Sequence, residues 1–448
     1  MADRPVRKMF RMPVHGERIS LRDMLFAWWP AAVVVAVGFV VAWQFVEPAP
    51  PAKVVIVTGA EDGAYFAHAK FYSDVLARND VELEIRSTSG SLENYHLLKD
   101  ENSGVDIGFV QGGIGAAEDA PGLLSLGSMY YEPVWVFCRA ALRIDSLAQL
   151  KGKRIAIGPA GSGTHRLALT LLHANGVPTA QGAHAALAGI AAAKALQEGK
   201  IDAVILTASP RSQAVNALLR DRRVRLMNFN NAEGYTRHFP HLFAIVLPRG
   251  GIDLRRNIPL QDIHLIATTA NLVVRDDLHP AIIGLLAQAA MEAHGPPGLF
   301  QRKHEFPSTK DIDLTMSPDA AHYYKSGPPF LQRYLPFWAA NFVDRMIVLL
   351  VPVLALLIPM VRLLPTLYNW RIRSRIYRQY GELKFLEDEV VNQPAAGKTG
   401  EFIARLDRIE ERVDQLRIPL AYHEQMYTLR SHIDLVRARI GKLAGAGG

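Results

Sequence analysis

The chain has 448 residues, 49% of them hydrophobic, a formal net charge of +7 and a single cysteine, Cys138. That length accommodates two or three domains, and that apolar content points to membrane segments beside a soluble core. One cysteine excludes an internal disulfide framework, and arginines flanking a membrane account for the positive charge without nucleic acid.

Residues 1–23 are basic, with Arg4, Arg7, Lys8, Arg11, Arg18 and Arg22 set against Asp3, Glu17 and Asp23. Residues 24–46 are almost wholly apolar, with Trp28, Trp29 and Trp43 near the two ends. That is about the length a bilayer demands, with aromatics at its interfaces. The stretch reads as an uncleaved anchor, because a signal peptide's apolar region runs only about 7–15 residues and ends in a small-x-small site. A cleaved signal peptide is the alternative. The basic flank keeps residues 1–23 in the cytoplasm. Glu47-Pro-Ala-Pro-Pro51 is a short stiff linker.

From Lys53 the pattern becomes α/β. Val54 to Val57 is a short buried strand, followed by the glycine-bearing turn Thr58-Gly-Ala-Glu-Asp-Gly-Ala-Tyr65 and a helix to about Leu76. Val81, Leu83 and Ile85 alternate with Glu82, Glu84 and Arg86, the period of a strand. Ser87 to Ser91 break that pattern, and Leu92, Tyr95 and Leu98 resume at helical spacing. A helix start leaves free N–H groups and a partial positive charge, so this turn is either a simple serine cap or an anion seat. Residues 104–111 form another strand, ending at Gln111. Apolar strands alternating with helices predict a sheet covered on both faces, with ligands at the carboxyl ends of its strands. Thr58, Ser89 and Gln111 fall at such ends.

A second unit repeats the order. Residues 134–138 and 153–158 read as strands, with a short helical piece over 144–150 between them. Pro159-Ala-Gly-Ser-Gly-Thr164 is a second glycine-hydroxyl turn before a helix to Leu172, and 201–207 is a strand ending at Thr207. Two lobes, each with a donor-rich turn at a helix start, predict a cleft between them. Residues 241–248 and 264–274 are further strands, the first a candidate for the return crossing between lobes. Leu278 to Ala293 is a helix stopped by Gly295-Pro-Pro-Gly298.

Residues 346–361 are a second apolar run, interrupted by Pro352 and Pro359, preceded by Phe337 and Trp338 and followed by Arg362, Arg371, Arg373, Arg375 and Arg378. It reads as a second span with a cytoplasmic tail. A re-entrant or docking helix is the alternative, since the run is short for a bilayer. In the tail, Phe402, Leu406, Ile409, Val413 and Leu416 follow one heptad-like series and Met426, Leu429, Ile433, Val436 and Ile440 another, with Pro419 between. At about two heptads each, these predict a self-packed helical hairpin before a coiled coil.

No enzyme or metal constellation stands out. Gly158 to Thr164 lacks the lysine of a phosphate-binding loop. His238 and His241 have no third ligand at metal spacing. Ser162 and His165 lack the G-x-S-x-G elbow of a hydrolase. No cofactor, catalytic residue or metal is expected.

The ordered set Ile56-Val-Thr-Gly-Ala-Glu-Asp-Gly-Ala-Tyr65, Ser87-Thr-Ser-Gly-Ser-Leu-Glu-Asn94, Asp106-Ile-Gly-Phe-Val-Gln111, Leu147-Ala-Gln-Leu-Lys-Gly-Lys-Arg154 and Gly161-Ser-Gly-Thr164 resembles the TAXI-type solute-binding proteins of tripartite ATP-independent periplasmic (TRAP) transporters. The resemblance covers roughly 53–325. It implies an α/β, two-lobed periplasmic binding protein type II-like fold, with lobe 1 at about 53–135 and 250–325 and lobe 2 at about 136–249. It implies a ligand site for a small organic anion or amino acid at Tyr65, Ser89, Gly90, Ser91, Asn94 and Gln111 in lobe 1 and Ser162, Gly163, Thr164, Thr207 and Ser209 in lobe 2. A TRAP-type permease in the bacterial inner membrane would be the partner. Ala208-Ser-Pro210 stands where the family more usually has Gly-x-Pro, and Ala64 where a larger residue is expected. The family's members are secreted or lipid-anchored. This sequence predicts transmembrane helices at 24–46 and 337–364, a periplasmic domain between them, and a cytoplasmic helical tail over 370–445. The expected function is a membrane-tethered transport receptor; the alternatives are a sensor whose tail reports lobe closure and a periplasmic enzyme on the same fold.

Overall fold

The computed structural model describes residues 21–45, 48–179, 184–310, 312–392, 398–416, 418 and 422–445. Most of the basic N-terminal segment, the end of the first apolar run and Pro419 lie outside them. The chain divides into two compact units, Pro48–Val343 on one hand and the remaining segments at both termini on the other.

In chain order the elements are α1 (Leu21–Trp43), β1 (Lys53–Val57), α2 (Ala64–Ala77), β2 (Glu82–Arg86), α3 (Ser91–Lys99), β3 (Ile107–Gln111) and β4 (Leu123–Arg139). Then follow β5 (Ile155–Ala156), α4 (Gly163–Ala174), α5 (Gly189–Gln197), β6 (Ala203–Thr207), α6 (Gln213–Leu219), β7 (Val224–Leu226), α7 (Ala232–His238), β8 (Phe243–Leu247) and β9 (Ile263–Arg275). The last are α8 (Pro280–His294), α9 (Pro318–Ser326), α10 (Phe337–Asn392), α11 (Thr399–Asp414) and α12 (His423–Gly445).

The strands of the Pro48–Val343 unit run in the order β2-β1-β3-β9-β4-β6-β5, with β7 added to β4 and β8 to β9. In lobe 1, β1 pairs in parallel with β2 and β3. Val54 and Ile56 face a core built with α2 and α8, while Val55 and Val57 face one built with Tyr95 and Leu98 of α3. A parallel strand buried on both faces needs no polar alternation, which is why Val54-Val-Ile-Val57 reads as a continuous apolar run after the exposed Lys53.

Two long antiparallel strands join the lobes. β4 pairs with β9 from Leu123↔Arg275 to Pro133↔Ala267, then with β6 from Val134↔Thr207 onward. The partner changes at Pro133, a residue without an N–H to give to a ladder. Ile263, Leu265, Ile266 and Ala267 belong to the lobe 2 core around Trp135 and Phe137, while Ala270, Leu272 and Val274 belong to that of lobe 1. Along β9 the change from one core to the other falls near Ala267–Thr268. β8, the sequence's candidate for the crossing, pairs only along the lobe 2 half of β9. Between α8 and α10 lies α9, whose N-cap Ser317 accepts from Ala320 N.

In the other unit, α10 runs for 56 residues through Pro352 and Pro359 without interruption. Among the described residues one stretch, Phe337–Leu363, is long and apolar enough to cross a membrane, at a mean hydropathy of 2.6. The first apolar run is helical over Leu21–Trp43, but its apolar described part, Ala32–Trp43, is shorter than that measure requires. A Cβ at Gly38 would meet Leu356 Cδ1 at 2.7 Å, so α1 and α10 pack closely at a glycine. The tail is more than the expected hairpin. Ile372, Ile376, Leu383, Leu386 and Val390 of α10 share one core with both heptad series of α11 and α12. The hairpin thus packs against a third helix, whose apolar positions are hidden in sequence among its arginines and glutamates.

Candidate functional site

Lobe 1 builds its wall from three strand-to-helix turns. Gly63 caps α2, which places Tyr65 in the first turn with its ring stacked on Phe109 at 5.1 Å. After β2, Gly90 takes φ +127, a conformation that favours glycine, and its N–H bonds Thr88 Oγ1. Ser91 opens α3 as a buried residue with its Oγ 3.1 Å from Tyr65 Oη. The donors next in line are already in use: Leu92 N and Glu93 N both bond the carbonyl of Gly161 in lobe 2, at 3.1 and 3.3 Å. The turn read as an anion seat is thus in part a latch to the opposite lobe. Ser89 also turns back on its own helix, bonding Glu93 Oε2.

Lobe 2 supplies the turn Pro159 to Thr164. Ser162 caps α4, accepting from His165 N and donating to Pro159 O. The amides of Gly163 and Thr164 begin that helix, where free N–H groups gather positive potential. Thr207 ends β6. Beyond it, Trp135 Nε1 holds the carbonyl of Ala208 at 2.8 Å and Arg211 N bonds Ser209 Oγ.

These turns enclose a cavity of about 450 Å³, within the usual range for a small-molecule site. Tyr65, Ser89, Gly90, Ser91 and Gln111 line it from lobe 1, and Ser162, Gly163, Thr164, Thr207 and Ser209 from lobe 2. Asn94 does not. It is a fully buried residue of α3, whose Nδ2 bonds the carbonyls of Thr58 and Phe109 and whose Oδ1 lies 2.6 Å from Thr88 Oγ1. Its task is to join the ends of β1 and β3 to the turn after β2. Arg211 also lines the cavity, from the turn before α6.

The residue the sequence did not disclose is Glu132, 6% exposed on β4 beside the partner change at Pro133. Tyr65 Oη donates to its Oε2 at 3.0 Å, completing a chain from Ser91 through Tyr65 to the carboxylate. Burial raises its pKa to about 8, against the lowering effect of the Tyr65 bond. A glutamate inside the apolar run Met129 to Cys138 was the available signal, because an acidic residue inside a core segment needs a reason. Two buried polar atoms lack a protein partner among the described residues here, Gln111 Nε2 and Thr207 Oγ1. Such atoms are costly unless something else binds them. Among the described residues no group of three histidine, cysteine or acidic side chains has a metal-binding arrangement.

The model of the NMT1-like family matches residues 56–297. No curated protein matches the chain. Among solved structures, the periplasmic aliphatic sulphonate binding protein SsuA of Escherichia coli is similar at 16% identity and a TM-score of 0.36, covering 69% of this chain and 84% of its own. The alkanesulfonate-binding protein SsuA of Xanthomonas axonopodis pv. citri, bound to MOPS, is similar at 19% identity and a TM-score of 0.35, over 54% of this chain and 74% of its own. A Bordetella bronchiseptica RB50 protein is similar at 17% identity and a TM-score of 0.37, over 54% of this chain and 71% of its own. At scores this low the likenesses carry no argument about the solute.

Proposed function

The chain belongs to the NMT1-like family, with a solute-binding domain of the periplasmic binding protein type II kind, and on that premise we propose that this domain clamps a small carboxylate-bearing solute between its lobes. The observation that carries the reading is the cavity between two helix-start turns, with Gln111 Nε2 and Thr207 Oγ1 buried in its wall and without a protein partner among the described residues. An entering carboxylate would take up those donors together with the amides at the start of α4, replacing water by fixed dipoles. The long strands β4 and β9 are the hinge about which the lobes open, and the bonds from Leu92 N and Glu93 N to Gly161 O hold one rim shut.

The order of motifs favours a TAXI-type receptor delivering its solute to a TRAP-type permease. The membrane arrangement follows from composition. Phe337–Leu363 is taken as a span, with Trp338 at its start and Arg371 to Arg378 on the cytoplasmic side. The close packing of α1 on α10 at Gly38 suits a second span. Residues 53–325 then face the periplasm and both termini the cytoplasm. A second reading, a sensor, is favoured by one feature: α10 passes unbroken from the apolar stretch into the core of the tail bundle. In that reading, lobe closure shifts α10 and so alters the tail.

Full-length protein in detergent is expected to melt about 5 °C or more higher with the right amino acid, dicarboxylate or keto acid at a hundred times its Kd, from a stabilisation of about 2.7 kcal/mol. Thr164→Ala should weaken that solute about tenfold. No stabilisation across these classes and their sulfonate counterparts would count against the clamp. Reporter fusions at residues 15, 200 and 440 are expected to read cytoplasmic, periplasmic and cytoplasmic; a cytoplasmic signal at 200 overturns the topology.

A further inference from the structure

The polar groups left open in the cavity are unequal in kind. Gln111 Nε2, the α4 amides and Arg211 offer hydrogens, and Thr207 Oγ1 offers either role. Against them stands one deeply buried carboxyl. Glu132 Oε2 is engaged by Tyr65 Oη, and its Oε1 has no protein partner among the described residues. Glu132 also sits at the hinge, where both lobes close over whatever touches it.

We infer that the solute carries a protonated amine beside its carboxylate, and that Glu132 is the specificity-determining residue that receives the amine. The inference rests on the clamp proposed above. A carboxylate meets the donors at Gln111, Thr207 and the start of α4, while the ammonium meets Glu132 Oε1. Tyr65 holds the carboxyl in place from the other oxygen, and Ser91 holds Tyr65. In the empty cleft burial keeps Glu132 protonated near neutrality, at about 8. Binding an ammonium favours the ionised form, so the carboxyl proton leaves to the solvent as the ion pair forms. Tyr65 and Tyr130 face Glu132, and burial holds both phenols well above their ordinary range. His68, packed on Tyr130 at 4.9 Å, is lowered to about 4 by burial and stays neutral. Asp62 from lobe 1 and Arg211 from lobe 2 line the same cavity.

The test compares amino acids with the same acids lacking the amine, on full-length protein in detergent, by calorimetry from pH 6 to 8. Loss of the amine is expected to cost about 10- to 100-fold in affinity, the range of one charged hydrogen bond. Amino acid binding should release a proton at pH 7, read from the enthalpy in buffers of different ionisation heat. It should tighten up to about tenfold per pH unit toward pH 8. Glu132→Gln should weaken the amino acid by a similar factor and move its amine-free counterpart by less than threefold. Wild-type protein that binds the amine-free acids as tightly, without proton release, overturns the amine assignment and leaves the carboxylate clamp standing. Binding of neither class overturns both.

Discussion

Alanine at position 163 is expected to weaken solute binding by about 10- to 100-fold while leaving the empty protein at least as stable as wild type. Gly163 is the first residue of α4, and its backbone lies outside the left-handed region that reserves a position for glycine. Within lobe 2 an alanine there would be tolerated and would favour the helix by about 0.5–1 kcal/mol. The obstacle is in lobe 1. A Cβ at 163 would overlap Gln111 Oε1 and lie 2.9 Å from its Cδ and 3.1 Å from its Cβ. Gln111 is itself 2% exposed at the end of β3, with little room to retreat. Overpacking of this kind costs about 1–3 kcal/mol, and here the cost falls on the closed state alone. Calorimetry gives the affinity and a melting curve of the empty protein gives the control. Binding within threefold of wild type would show that Gln111 moves aside and that the two walls are not in firm contact.

That contact was half legible in the sequence. The turns after β1, β2 and β5 were readable because glycine and hydroxyl residues interrupt strand alternation just before helical spacing begins. Ser89, Ser91 and Thr164 were found in that way. What one dimension could not give was the direction each residue faces. Asn94 lies one turn along α3 from the site, on the face that turns inward toward the carbonyls of Thr58 and Phe109 rather than toward the cleft. Gly163 was named as a binding residue, yet its tight approach to Gln111 depends on how two lobes meet, which no local pattern encodes.

The hinge was harder for a related reason. Residues 123–133 of β4 contain Gly127, Glu132 and Pro133, each a poor strand residue, and only residues 134–138 were read as strand. The same Pro133 that obscured the strand marks where it exchanges β9 for β6 as its neighbour. β9 hid its crossing for the opposite reason. Leu265 to Val274 is apolar or small almost throughout, so nothing in it shows where one core ends and the next begins. In the tail, the apolar stripe of α10 lies among arginines and glutamates, so two helices of the bundle were legible and the third was not.

Glutamine at position 132 is expected to make the empty protein more stable than wild type in alkaline solution, by on the order of 5 kcal/mol at pH 9, and to leave it nearly unchanged at pH 4. Glu132 ionises near 4.5 in an unfolded chain and near 8 in the folded one. Between those values the folded state holds a proton that the unfolded state has released. Stability therefore falls as pH rises through this window, by roughly 1.4 kcal/mol per unit, and the loss is complete above pH 8. Glutamine has nothing to ionise, and its carbonyl can still accept from Tyr65. His68 and His294 are also buried and lowered, but they weaken the fold on the acid side and occur in both proteins, so they cancel in the difference. Melting curves of the two proteins from pH 4 to pH 9, without solute, should therefore diverge upward through the window and reach roughly 10 °C apart at the alkaline end. Curves that stay parallel would mean that Glu132 ionises at an ordinary value and that water reaches it freely in the empty protein. Adding an amine-bearing solute should close the gap, because the ion pair it forms relieves in wild type the same buried charge that glutamine removes.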